Sequence, residues 1–145
     1  MGDRANVFVI DEFSTKKPDQ PEPGGVYLYT HWGGSELPEA VRVALAKRWR
    51  WDDSAYLTRI IFDQMTAGDQ GSETGFGIGL HMPDNDGYPI IMIDTGKKEV
   101  RFMPCNWVKD RHVFGTTPAK VYTFEEYIAQ DHAEWPDLDD EAAVA

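Results

Sequence analysis

Apolar and polar positions along the chain change period several times, and each change predicts an element. "ANVFVIDEF", from Ala5, alternates imperfectly and is rich in Val, Ile and Phe, which predicts a strand. "VYLYTHW", from Val26, predicts a second strand ending in His31 and Trp32. Gly33 and Gly34 turn the chain, and Ser35 opens a helix with Leu37, Val41, Ala44 and Leu45 on one face. "RWRWDD" interrupts it. Asp52 or Asp53 then caps a second helix with the stripe Leu57, Ile60, Ile61 and Met65, and Gly68 stands at its C-cap. "TGFGIGLHM" has strict period two, "YPIIMID" is a near-continuous apolar strand, and "TGKK" turns it into "EVRFM". "PCNWVKDRHVFGTTPAK" reads as irregular, with short strand character near Val113. "TFEEYIAQDHAEW" reads as a last helix, started by the capping box of Thr123 and Glu126.

Strands grouped as hairpins, with a helical pair inserted, predict the α+β class. The expected architecture is a mostly antiparallel sheet of four to six strands. The two helices pack on one face, and a helix follows near the C-terminus. Residues 1–135 form a single domain in this reading. Residues 12–25 are an exposed proline-rich loop, and 136–145 an acidic, mobile tail.

The two-residue period suggests one specific pairing. Tyr27, Tyr29 and His31 share one face of their strand; Gly75, Gly77, Gly79 and His81 share one face of theirs. Large neighbours commonly cover glycines across a sheet. If the strands are adjacent, the tyrosines lie over the glycines, and His31 comes near His81. Val26, Leu28, Phe76, Ile78 and Leu80 then face the helices. Tyr27 and Tyr29 are expected under a second apolar layer from Trp107, Phe114 or Trp135, or on an open ligand-binding face.

Charge narrows the partners. The net charge of −11 opposes direct binding to nucleic-acid phosphates and suits a protein partner with a basic patch. The last fifteen residues hold six of the acids and no Lys or Arg, so the acidity is partly a tail property. Trp135, beside these acids, is a candidate anchor on the partner. One cysteine, Cys105, excludes an internal disulfide framework and fits a reduced, cytoplasmic setting. No signal peptide or membrane span is expected.

"YTHWGGSELP", "DDSAYLTRIIFDQM", "TGFGIG" and "YPIIMID", in this order, resemble a family of small acidic proteins from phage and bacterial genomes, with no assigned activity. The resemblance covers roughly residues 26–102. It implies a bacterial or phage-infected cytoplasm and, by analogy, inhibition of a host macromolecule through stoichiometric binding.

The candidate chemistry is sparse. The glycines of "GFGIG" alternate within a strand, whereas a phosphate loop needs them at a strand-to-helix turn. A metal at His31 and His81 would need a third ligand such as Asp84, Asp86 or Glu36, and no ligand spacing supports one. As a general base His31 needs an orienting group, for which Asp94 is a candidate. Cys105 has no nucleophile signature around it. "KRWRW" mixes cations and indoles, but Lys47 and Arg48 suit a helix C-terminus and the tryptophans suit stapling the two helices. No cofactor or metal is expected. The favoured function is a non-enzymatic binding protein, with binding residues Tyr27, Tyr29, His31, Gly77, Gly79, His81 and Trp135. The alternative is a small hydrolase using His31 and His81. His31 itself is expected to hydrogen-bond near the start of the Ser35 helix.

Overall fold

The β-rich first strand, β1 (Ala5–Ile10), lies inside the sheet, with β2 (Gly25–Thr30) antiparallel on one side. These elements come from a computed structural model, which describes residues 2–13, 24–82, 84–108, 111–115 and 117–137. The proline-rich segment 14–23 and the tail 138–145 lie outside the described residues, as do the side chains of Trp107 and Phe114.

After β2 come a 3-10 turn (Gly34–Glu36), α1 (Leu37–Ala46) and α2 (Ser54–Met65). Then follow β3 (Phe76–Gly79), β4 (Ile90–Asp94), β5 (Glu99–Met103), a separate hairpin of β6 (Cys105–Val108) and β7 (Arg111–Phe114), β8 (Lys120–Thr123) and α3 (Phe124–Ile128). The main sheet has six strands in the order β3-β2-β1-β4-β5-β8. All its neighbours are antiparallel except β1 and β4. The α+β class and the mostly antiparallel sheet agree with the sequence reading. The parallel pair arises because α1, α2 and β3 separate β1 from β4, giving the long crossover that parallel strands need.

Alternation divides the sheet's side chains between two layers. Val7, Val9, Leu28, Ile91, Ile93, Val100 and Phe102 are buried with Val41, Ala44 and Leu45 of α1 and Leu57, Ile60 and Ile61 of α2. Each such aliphatic chain contributes about 1.5–3 kcal/mol through burial. Phe8, Tyr27, Ile90, Met92 and Met103 form a smaller layer on the other face, joined by Ile10, Met82 and Cys105.

The helix starts follow local chemistry. Asp53 caps α2, its Oδ1 accepting the Tyr56 N–H at 3.1 Å. Thr123 and Glu126 form both bonds of the capping box on α3. The helical pair starts differently from the expectation. Ser35 supplies no side-chain cap; its N–H donates to Asp3 Oδ2 at 2.8 Å, and Gly34 N–H donates to the Asp3 carbonyl at 2.8 Å. Tyr88 hydroxyl donates to Asp3 Oδ1 at 2.6 Å. Burial pushes the Asp3 pKa upward, but these hydrogen bonds outweigh it and hold the carboxyl below its usual value.

Three predicted boundaries change. The strand in "TGFGIGLHM" covers Phe76–Gly79 alone. The last helix stops at Ile128, because the chain then turns back onto α1: Ala133 N–H donates to Glu39 Oε1 at 2.8 Å. Tertiary contacts outweigh helix propensity there. The stretch read as irregular contains the β6–β7 hairpin and runs into β8, whose four residues are too few to show a period.

Candidate functional site

The distinctive surface lies where β2 and β3 end beside the two helices. The expected pairing is present: Tyr27 faces Gly79 and Tyr29 faces Gly77. Beyond the strand ends, His31 N–H donates to the Gly75 carbonyl at 2.8 Å. Gly75 has φ +104°, and a Cβ there would lie 2.9 Å from Trp32 Cζ3, so both backbone and space require glycine. Trp32 is 59% exposed. Its ring meets that of His31 edge-on, with centroids 4.7 Å apart.

Next to Trp32 opens a cleft of about 760 Å³. Phe76 from β3, Met65 from α2 and Leu37 from α1 give it apolar walls, while Glu36 and Asp69 add exposed carboxylates. Glu73 is exposed in the loop leading to β3. Glu39 also lines the cleft but already has partners. Both its oxygens accept from Arg42, at 2.7 and 2.6 Å. That hydrogen bonding, with the Ala133 N–H, lowers its pKa to about 2 against burial.

β3 is the outer strand of the sheet. The His31–Gly75 bond fixes which backbone groups face β2: those of Gly77 and Gly79, two and four residues further on. The N–H and C=O groups of Phe76 and Ile78 therefore face outward. No described residue pairs with that outer edge. Ile78 is 60% exposed and Leu80 70% exposed. Ile78 shares the face of Phe76, as expected, but it and Leu80 lie mostly in water, which corrects the expectation that both pack on the helices. Among the expected helix-facing residues of β3, Phe76 makes that contact, meeting Phe62 of α2 edge-on.

On the opposite face, Tyr29 hydroxyl and His31 Nδ1 are hydrogen-bonded at 2.8 Å. Burial raises the Tyr29 pKa; Arg4 lowers it, and Asp84 and Asp86 add to the rise. Arg4 lies 2.9 Å from Asp84 and 3.6 Å from Asp86. The expected bond from His31 to the helix start is thus replaced by the Tyr29 pair, and Asp3 holds the helix.

The register separates the two histidines. His31 stands at the level of Gly75, while His81 follows the far end of β3, where Gly79 pairs with Tyr27. Four residues of strand are on the order of 13 Å. The register therefore gives no support to a metal or acid–base centre shared by the two histidines. Asp94 does not orient His31, because β1 lies between their strands and Asp94 is paired with Arg101. No group of three His, Cys, Asp or Glu able to hold a metal occurs among the described residues.

The remaining candidates divide clearly. Tyr27 is buried in the smaller apolar layer, its ring 4.7 Å from Phe8, so it shapes the face from beneath. Trp135 is not a free anchor: it donates to the Gly34 carbonyl at 2.8 Å and stacks on Tyr88 at 4.5 Å. Burial pushes the Cys105 thiol up to about 11, which suppresses thiolate and suits packing beside Met82. Trp51 packs on Phe124, but Trp49 is exposed, so a single tryptophan of the pair is in the helix packing. No described helix is long and apolar enough to cross a membrane.

Comparison with protein-family models, curated proteins and solved structures finds no match for the chain. The open edge was missed in the sequence. Its signal was available: "TGFGIGL" contains no charge and no proline, the residues that usually guard an edge.

Proposed function

We propose that this is a non-enzymatic binding protein that occupies a partner protein bearing a basic patch. The observation that carries the reading is the cleft beside β3, where Trp32, Phe76 and Met65 adjoin the exposed carboxylates of Glu36 and Asp69. Aromatic anchors next to a charged rim are the composition of a protein interface. The chain's net charge of −11 favours a cationic partner and disfavours nucleic acid. The resemblance of residues 26–102 to small acidic phage and bacterial proteins supplies the setting, a bacterial or phage-infected cytoplasm with a host macromolecule as target.

A fluorescent lysine oligomer at low salt tests the charge component. The variant Glu36→Gln/Asp69→Asn/Glu73→Gln should lose most of the binding. A control neutralising Asp11, Glu12 and Asp63 should retain it. Equal loss in both would reduce the interaction to net charge and remove the cleft from the account.

A further inference from the structure

We infer that the partner is held as an added strand on the outer edge of β3, by an extended segment that alternates apolar and basic side chains. This rests on the binding reading above and specifies the form of its ligand. The backbone argument comes first. The outward N–H and C=O groups of Phe76 and Ile78 offer the hydrogen bonds an incoming strand needs. Nothing on β3 guards them: the strand is Phe-Gly-Ile-Gly, without lysine, proline or bulge.

The side-chain argument explains the alternation. An added strand continues the faces of its neighbour. On the helix side, the incoming residues lie beside Ile78, an exposed apolar side chain two residues along β3 from Phe76, which lines the cleft. Apolar residues fit there. On the other side, Gly77 and Gly79 leave the surface low. A Cβ at Gly77 would find its nearest neighbour in Tyr29 Cδ2, at 3.9 Å. A long cation from the added strand therefore reaches over Gly77 to the half-buried Tyr29 ring, a favourable cation–π placement. Glu36 and Asp69 of the cleft, with Glu73 exposed in the loop before β3, complement further cations. A second copy of the chain is the poorer occupant, since it brings another −11 charge to the same edge.

The test uses the whole chain and two short peptides of equal charge, one alternating valine and lysine, the other proline and lysine. Proline cannot supply the strand's donors. The valine–lysine peptide should bind with amide NMR shifts centred on Phe76 and Ile78, and more tightly than the proline–lysine peptide. Ile78→Pro removes an outward donor without touching the β2 ladder and should weaken binding by up to about tenfold. Gly77→Thr adds a side chain where there is room for one; it should fold normally and weaken the same peptide several-fold. Retained thermal unfolding transitions identify the folded variants. Equal binding of the two peptides, abolished by neutralising Glu36, Asp69 and Glu73 but unchanged in Ile78→Pro and Gly77→Thr, would overturn strand addition and leave the acidic cleft standing. No binding of either peptide would overturn both. A dimer without peptide, dissociated by Ile78→Pro, would assign the edge to a second copy and overturn the heterologous partner.

Discussion

The two edges of the sheet, β3 and β8, have the same length and unequal protection. On β8, Phe124 N–H donates to the Lys98 carbonyl at 2.8 Å, so the alternating ladder turns the N–H of Thr123 outward. That donor is taken by Glu126 Oε1 at 2.8 Å, within the capping box of α3. Lys120 begins the strand, a charge of the kind that discourages edge pairing. On β3 the corresponding donors of Phe76 and Ile78 have no described partner, and the side chains between them are hydrogen atoms. One capping box thus takes up one outward donor of β8 and starts a helix at once, while the N–H of Val121 also faces outward. The other edge keeps its backbone available, where a cleft and uncovered carboxylates adjoin it. The difference teaches that β3 is the less guarded of the two edges and the one beside the cleft, which is why the functional reading is placed there.

The largest contrast lies in core support. Phe102, on β5 beside β8, is fully buried and packs on Tyr122, Tyr127 and Trp135. Phe102→Ala should cost about 3–5 kcal/mol, read by urea denaturation. Ile78→Ala at the other edge should stay within about 0.5 kcal/mol, because its side chain is mostly in water. Similar losses for the two would erase the comparison.

Acid should loosen the contact between α1 and the segment after α3. Glu39 holds Arg42 and the Ala133 N–H, and its pKa is about 2 in the fold against an ordinary 4.5. A depressed carboxylate pKa contributes stability above the unfolded value, and that contribution fades as pH falls from about 5 towards 2. Glu39→Gln should flatten the stability profile across this window. An unchanged slope would show that other carboxylates govern it.

Smaller effects sharpen the account of β8 itself. Tyr127→Phe removes a buried hydroxyl that donates to the Pro38 carbonyl at 2.8 Å, and should cost about 1–3 kcal/mol in the same denaturation. Thr123→Ala should cost about 1 kcal/mol, with faster amide exchange at the start of α3. Unaltered exchange there would mean that the capping box does not guard the edge.

Much of this was legible in the sequence, and the particular residues say why. Strict alternation fixed the faces of Tyr27, Tyr29, Gly77 and Gly79, and large residues opposite glycines correctly suggested neighbouring strands. The same alternation is blind to register along the strand. It gave His31 and His81 a common face but no separation, and the ladder puts them at different levels. Long-range partners were equally hidden. Asp3 serves the helix start across the chain, and Trp135 reaches back to Gly34, although nothing local distinguishes either residue. Ile78 and Leu80 read as core because period alone cannot tell an edge strand from an inner one.

The most direct measurement is residue-resolved amide hydrogen exchange by NMR on the intact chain, with and without the alternating valine–lysine peptide. In the free protein, Gly77 N–H should be protected by the β2 ladder, whereas Phe76 and Ile78 should exchange at nearly unprotected rates. Thr123, held by Glu126, should exchange more slowly than either. With peptide, Phe76 and Ile78 should become protected while Val121 on the far edge remains unchanged. Protection of Phe76 and Ile78 already in the free protein, or an equal gain at both edges, would contradict the claim that β3 is the open binding edge.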